Sequence, residues 1–199
     1  MDDNLILRPI TILKEKDDIK LSSFDCVPKN VEKYKNSVSD YELINDFLKT
    51  KALSYSEKNI MQTFLLISEK EKRVIGFFSL NAGSQRIFKK FRLKKKKQKF
   101  DVPTLNRNTE LPTVDMVWMG IDKEYQHNGY GQKLMEQIFL IVENISNVIG
   151  VSLFAVCAIK DSQSYFTKFG FIDVSEGIGN TKGDQFMAIT IEELRIILK

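Results

Sequence analysis

Residues 115–140 read DMVWMGIDKEYQHNGYGQKLMEQIFL. The apolar run Val114-Asp115-Met116-Val117-Trp118-Met119-Gly120-Ile121 enters this stretch, and Leu134, Met135, Ile138, Phe139 and Val142 leave it at helical spacing. Between them stands Gln126-His127-Asn128-Gly129-Tyr130-Gly131. The pattern predicts a strand over 113–121, a Gly-rich turn and a helix over about 130–146. A turn of this kind points backbone N–H groups at a phosphate from the start of a helix. Gly129 and Gly131 let the backbone approach closely and reach left-handed conformations. A plain strand–helix turn has the same form, so the rest of the chain must decide its meaning.

Towards the C-terminus, 150–158 is an apolar strand and 161–168 a short helix ended by Phe169-Gly170-Phe171. A closing strand pair follows at 171–174 and 186–191, around a Gly-rich stretch at 177–183. Thr190-Ile191-Glu192-Glu193 forms a capping box that opens a last helix. Towards the N-terminus, 61–68 and 74–81 form a hairpin across the polar turn 69–73, and Leu5 to Ile10 is a first strand. Ser39-Asp40-Tyr41-Glu42 reads as a capping box for a helix over 40–53. Residues 14–37 are irregular and charged, around an apolar island at Phe24-Asp25-Cys26. The order predicts an α/β fold around a mixed, mostly antiparallel sheet, as one domain over 1–199.

Composition narrows the chemistry. A single histidine, His127, leaves a zinc site short of ligands, and no G-x-S-x-G elbow accompanies it for a Ser-His-Asp mechanism. No metal is expected. No apolar run approaches the roughly 20 residues of a membrane helix, and Met1-Asp2-Asp3-Asn4 carries no signal-peptide pattern, so a cytoplasmic protein with no membrane role is expected. Cys26 and Cys157 are far apart, and Cys157 is expected in the core. The net charge of +4 hides a basic insertion at 86–100, RIFKKFRLKKKKQKF, with nine Lys or Arg and no acid. The rest of the chain is therefore net acidic.

Two stretches together resemble one family. Residues 115–140 resemble the coenzyme A-binding segment of the GNAT N-acetyltransferase superfamily, a strand followed by [Q/R]-x-x-G-x-[G/A] and a helix. Tyr165-Phe166-Thr167-Lys168-Phe169-Gly170-Phe171 resembles the second signature of that family, an aromatic pair followed by x-x-x-G-F. The resemblance leans towards the histone-acetyltransferase branch. Phe24-Asp25-Cys26, then Asn45-Asp46-Phe47-Leu48 and Ala52, weakly resembles bacterial GNAT toxins of toxin–antitoxin pairs, which acetylate the amino acid on charged tRNA.

The resemblance implies a GNAT fold and acetyl-CoA as co-substrate. It implies that the amides of His127, Asn128, Gly129, Tyr130, Gly131 and Gln132 surround the pyrophosphate, with Gln126 opening the motif. The backbone of Met119, Gly120 and Ile121 would pair with the pantetheine arm, and one N–H there would polarise the thioester carbonyl. His127 occupies an unconstrained position and is expected to face solvent. Gly120 suggests a bulge or close backbone approach, or simply a packing glycine.

Asp115 stands where the histone-acetyltransferase branch carries its basic Glu. Its ordinary pKa near 3.9 would have to rise by burial to suit a general base. A structural acid at a strand start is the alternative. The tyrosine that protonates the leaving thiolate in this superfamily is replaced by Phe166, so either the thiolate leaves without a fixed acid, or Tyr165 is re-aimed as the acid, or activity is weak; Tyr165 as a packing residue is the alternative.

Three functions remain open from the sequence. The first is an acetyl-CoA-dependent N-acetyltransferase acting on a protein or small-molecule amine. The second is a toxin that acetylates aminoacyl-tRNA. The third is a non-catalytic acyl-CoA-binding module. The basic run, with Phe88, Phe91 and Phe100, would suit RNA or an acidic partner, or is a solvated loop. A homodimer is compatible with the resemblance.

Overall fold

The computed structural model describes residues 5–14, 18–34, 37–86, 110–174 and 183–199. The basic run with its three phenylalanines, Arg86 backbone aside, and most of the Gly-rich stretch lie outside the described residues. The strands are β1 (Leu5–Pro9), β2 (Gln62–Ser68), β3 (Arg73–Arg86), β4 (Glu110–Ile121), β5 (Leu153–Ala158), β6 (Ile172–Asp173) and β7 (Gln185–Thr190). They hydrogen-bond in the order β1-β2-β3-β4-β5-β7-β6, a mixed and mostly antiparallel sheet flanked by helices, as expected.

The chain forms two compact units, and β3 and β4 run through both. The first comprises residues up to Asn81 together with Met116–Leu140. Its hairpin is the one expected: Phe64 pairs with Phe78, and a bulge interrupts the register between Leu66 and Ile67. Lys72, with φ of 53°, completes the turn. The helical stretch departs from expectation. It starts at Val38 with Ser37 as cap, so Ser39 lies inside the helix and forms no capping box. The carbonyl of Ser37 accepts the amides of Asp40 and Tyr41, which sets the start. Helix α1 (Val38–Asp46) continues through a wide π turn (Phe47–Lys51) into α2 (Ala52–Glu57). That turn presents Phe47 and Leu48 to a core shared with Phe24, Phe77 and Trp118. Phe47 stacks on Trp118 at 4.7 Å, and Phe24 meets Phe77 edge-on at 5.4 Å. The Phe24-Asp25-Cys26 island is buried here because both of its apolar side chains point inward.

The second unit comprises Ala82–Asp115 and Ile141–Lys199. Strands β5 and β7 pair antiparallel from Leu153↔Thr190 to Ala158↔Gln185. Helix α4 (Gln163–Lys168) follows a 3-10 turn at Lys160–Ser162. Thr190 caps the last helix, α5 (Ile191–Ile197), as expected: its hydroxyl accepts the Glu193 amide at 3.1 Å while Glu193 accepts the Thr190 amide. Cys157 corrects an expectation. It is exposed, because the face of β5 that buries Leu153 and Ala155 opens to solvent towards the strand's end. Helix α3 spans Tyr130–Val148, and Leu134, Met135, Ile138, Phe139 and Val142 form its buried face.

Candidate active site

In the first unit, β4 delivers the chain to the Gly-rich loop. Gly120 is buried, and a Cβ there would lie 3.1 Å from the Phe77 ring and 3.3 Å from both Ile44 and Phe24. On β3, a Cβ on Gly76 would meet the Gly120 carbonyl at 3.0 Å and Ile121 at 2.6 Å. The two strands are therefore packed backbone to backbone at Gly76 and Gly120. Beyond Ile121 the loop turns twice through left-handed backbone, at His127 (φ 63°) and Gly129 (φ 80°). Gly129 is tolerant of that angle, and nothing lies within 4 Å of where its side chain would project. Helix α3 starts directly behind, with the Lys133 amide bonded to the Gly129 carbonyl at 3.1 Å. The positive end of the α3 dipole thus faces a turn that is open at Gly129, which fits a pyrophosphate. His127, Asn128 and Gln132 are exposed, and Tyr130 packs edge-on against Tyr125 with Lys133 over its ring.

Gln126 has another task as well. Its side-chain amide donates to the Ile121 carbonyl at 3.0 Å and to the Cys26 carbonyl at 2.8 Å. Asp122 is fully buried: both of its carboxylate oxygens accept from Arg73 Nη2 at 3.1 Å, and Oδ1 also accepts the Glu124 amide at 3.0 Å. Tyr125 donates its hydroxyl to Glu71, and burial together with that carboxylate pushes its phenol up to about 12. Sequence reasoning missed Asp122, Arg73 and Glu71. The sole signal was an Asp directly after the strand, in a turn where Asp commonly bonds its own backbone two residues on.

In the second unit, Asp115 lies on β4 beside β3. Its carboxylate accepts the Thr113 hydroxyl at 2.5 Å and a bond from Gln85. A Cβ on Gly83 would stand 2.0 Å from Asp115 Oδ2, so the carboxylate occupies the space that a side chain at 83 would take. Burial raises the Asp115 carboxyl above its ordinary value, against the lowering effect of the Thr113 and Gln85 bonds. Gly83 and Gln85 stand on a different strand, earlier in the chain, and no local pattern ties them to Asp115. Thr113 was discoverable, since residues two apart share one strand face.

Tyr165 and Phe166 part company on α4. Phe166 is buried and meets Phe171 at 5.6 Å, and Phe171 meets Phe154 at 5.4 Å. Phe166 is thereby part of the core. Tyr165 is half-buried, edge-on to Phe166 and Phe169, and burial pushes its phenol well above the ordinary value. Such a phenol stays protonated and serves better as a hydrogen-bond donor than as a full proton donor. Neither thiol is activated: burial pushes Cys26 up to about 12 and raises Cys157 as well. Among the described residues no group of His, Cys, Asp and Glu could hold a metal, and no helix is long and apolar enough to cross a membrane.

No protein-family profile matches the chain. Solved structures do resemble it. A tyrosine-to-phenylalanine mutant of KacT is 19% identical, covers 97% of this chain and 98% of its own, and gives a TM-score of 0.73. AtaTR bound with AcCoA is 20% identical, covers 100% of both chains and gives 0.69. AtaT complexed with acetyl-methionyl-tRNAfMet is 20% identical, covers 98% and 99%, and gives 0.70. At this identity the likeness speaks to the fold, which over essentially its whole length is the GNAT fold in the form that these proteins share.

Proposed function

We propose that the chain transfers the acetyl group of acetyl-CoA to the α-amine of an aminoacyl-tRNA, as a toxin of a toxin–antitoxin pair. The observation that carries this is the whole-length likeness to AtaT structures, one with AcCoA and one with acetyl-methionyl-tRNAfMet. It favours the tRNA acceptor over the broader alternative of a protein or small-molecule amine.

The chemistry agrees. Gly129, Tyr130 and Gly131 with the start of α3 hold the pyrophosphate, and the β4 backbone from Met119 to Ile121 holds the pantetheine arm and polarises the thioester carbonyl. The amine nitrogen attacks that carbonyl, a C–N bond forms, and the C–S bond breaks to release the CoA thiolate. Asp115 is the general base proposed to take the ammonium proton. A carboxylate raised only by burial is a weak base. It suits an α-amine, whose reference pKa is about 7.7–8.0, better than a lysine at about 10.4. Tyr165 donates a hydrogen bond to the departing sulfur. The nine cations at 86–100 add phosphate affinity for RNA.

Expression in a bacterium tests this. Growth arrest that Asp115→Asn lifts, together with salt-sensitive tRNA binding, is the expected result. Harmless expression and no tRNA affinity at low salt would overturn it.

A further inference from the structure

Residues 123–129 form neither strand nor helix, yet a phosphate site must be held to a fraction of an ångström. The loop is tied down by a segment about a hundred residues earlier in the chain. The Lys123 amide donates to the Asp25 carbonyl at 2.7 Å, and Lys123 Nζ to Asp25 Oδ2 at 2.8 Å. The Asp25 amide donates to Asp122 Oδ2 at 3.2 Å. The Cys26 carbonyl accepts Gln126 Nε2, and Lys29 pairs with Glu124 at 2.7 Å.

That segment would itself be loose without Asp25. Its Oδ1 accepts the Val27 amide at 3.0 Å and Asn45 Nδ2 at 2.8 Å, while Asn45 Oδ1 accepts the Cys26 amide at 2.9 Å. One carboxylate thus bridges its own turn, helix α1 and the loop. Burial pushes the Asp25 carboxyl up, but the bonds from Lys123, Val27 and Asn45 outweigh it and hold the group ionised. The bonds from Asp25 to the loop run to Lys123 and Asp122, at the end of the loop away from the glycines.

We propose that Asp25 is a positioning residue for the phosphate-binding loop, acting through Lys123 and Asn45 to set where the Gly129 turn sits. The inference rests on the acetyl-CoA reading of that loop. It separates Asp25 from ordinary core residues, because its effect should fall on ligands that carry a pyrophosphate and spare ligands that lack one.

The test uses the purified full chain with Asp25→Asn, Asp25→Ala, Lys123→Met and the Asp25→Asn/Lys123→Met pair. Asp25→Asn keeps an acceptor for Val27 and Asn45 but loses the ion pair, so it remains informative if Asp25→Ala does not fold. Kd is measured for CoA and, by NMR, for pantetheine, which has no pyrophosphate. Losing this partly exposed ion pair should weaken CoA binding about twofold to fivefold. Pantetheine should bind as before, and the double variant should be no weaker than the poorer single one. Unchanged CoA affinity, or an equal loss for CoA and pantetheine, would overturn the inference. A wild-type chain with no CoA affinity would instead overturn the acetyl-CoA reading beneath it.

Discussion

The Gly-rich loop and the aromatic segment at 165–171 are held by opposite physics. The loop is pinned by directed polar bonds: Asp122 to Arg73, Gln126 to Cys26 and Ile121, and Lys123 to Asp25. The aromatic segment is held by undirected ring packing of Phe166 on Phe171 on Phe154. Directed bonds fix the position of backbone amides, which an anion-binding turn requires. Ring packing tolerates replacement of its members, and a tyrosine slot can become Phe166 without loss of the core. The loop is accordingly where geometry should matter to binding, and the packing of Phe166, Phe171 and Phe154 where it should matter to stability.

Substitutions can break or sharpen that contrast. The largest effect is expected at Asp115. Asp115→Asn should lower kcat about a hundredfold or more, in the range of general-base catalysis, measured by thiol release from acetyl-CoA. Gly83→Val, whose Cβ would collide with the Asp115 carboxylate, should match it. Arg73→Ala comes next. It leaves the fully buried Asp122 without its cation, and should cost about 3 kcal/mol in denaturant unfolding while also weakening CoA binding. Phe166→Tyr should cost about 1–3 kcal/mol, for a hydroxyl buried against Phe171, and should not raise turnover. Higher turnover would break the contrast, by showing that the aromatic segment is a catalytic site in want of its tyrosine. Gly129→Ala should cost only about 1 kcal/mol, because the φ of 80° is strained for alanine while the space around it is open.

Asp115 also makes a prediction about pH. Its folded-state carboxyl is raised by burial, so the folded chain holds that proton more tightly than the unfolded one. Its contribution to stability is then intact in acid below the unfolded value of 3.8, and is lost as pH rises through the folded value. Asp115→Asn should therefore be more stable than the wild-type chain at pH 7, with the advantage vanishing towards pH 3. Equal stability at both pH values would contradict the stated cause of the shift.

The frame was legible because each of its signals is local. Short apolar runs bounded by polar turns mark β2, β3 and β5, helical spacing marks α3, and Thr190 with Glu193 marks the start of α5. Gly129 could be read because a left-handed turn demands it. The capping box at Ser39 misled, since the helix starts one residue before it, with the Ser37 carbonyl taking the first amides and no side-chain cap, and the π turn at Phe47–Lys51 carries the helical stretch past its apparent end. Cys157 misled because strand composition cannot tell where a covering layer stops. Arg73, Glu71, Asn45 and Gly83 were invisible as site residues. Each acts on a partner far away in sequence, and no spacing rule links them.

The central claim is the acceptor, and label transfer tests it most directly. The purified chain is incubated with acetyl-CoA labelled on the acetyl group and, separately, charged tRNA, the same tRNA stripped of its amino acids, and lysine peptides. Label should enter the charged tRNA alone and should leave it, as an N-acetyl amino acid, when mild base cleaves the ester. Label in the lysine peptides with none in charged tRNA would contradict the account.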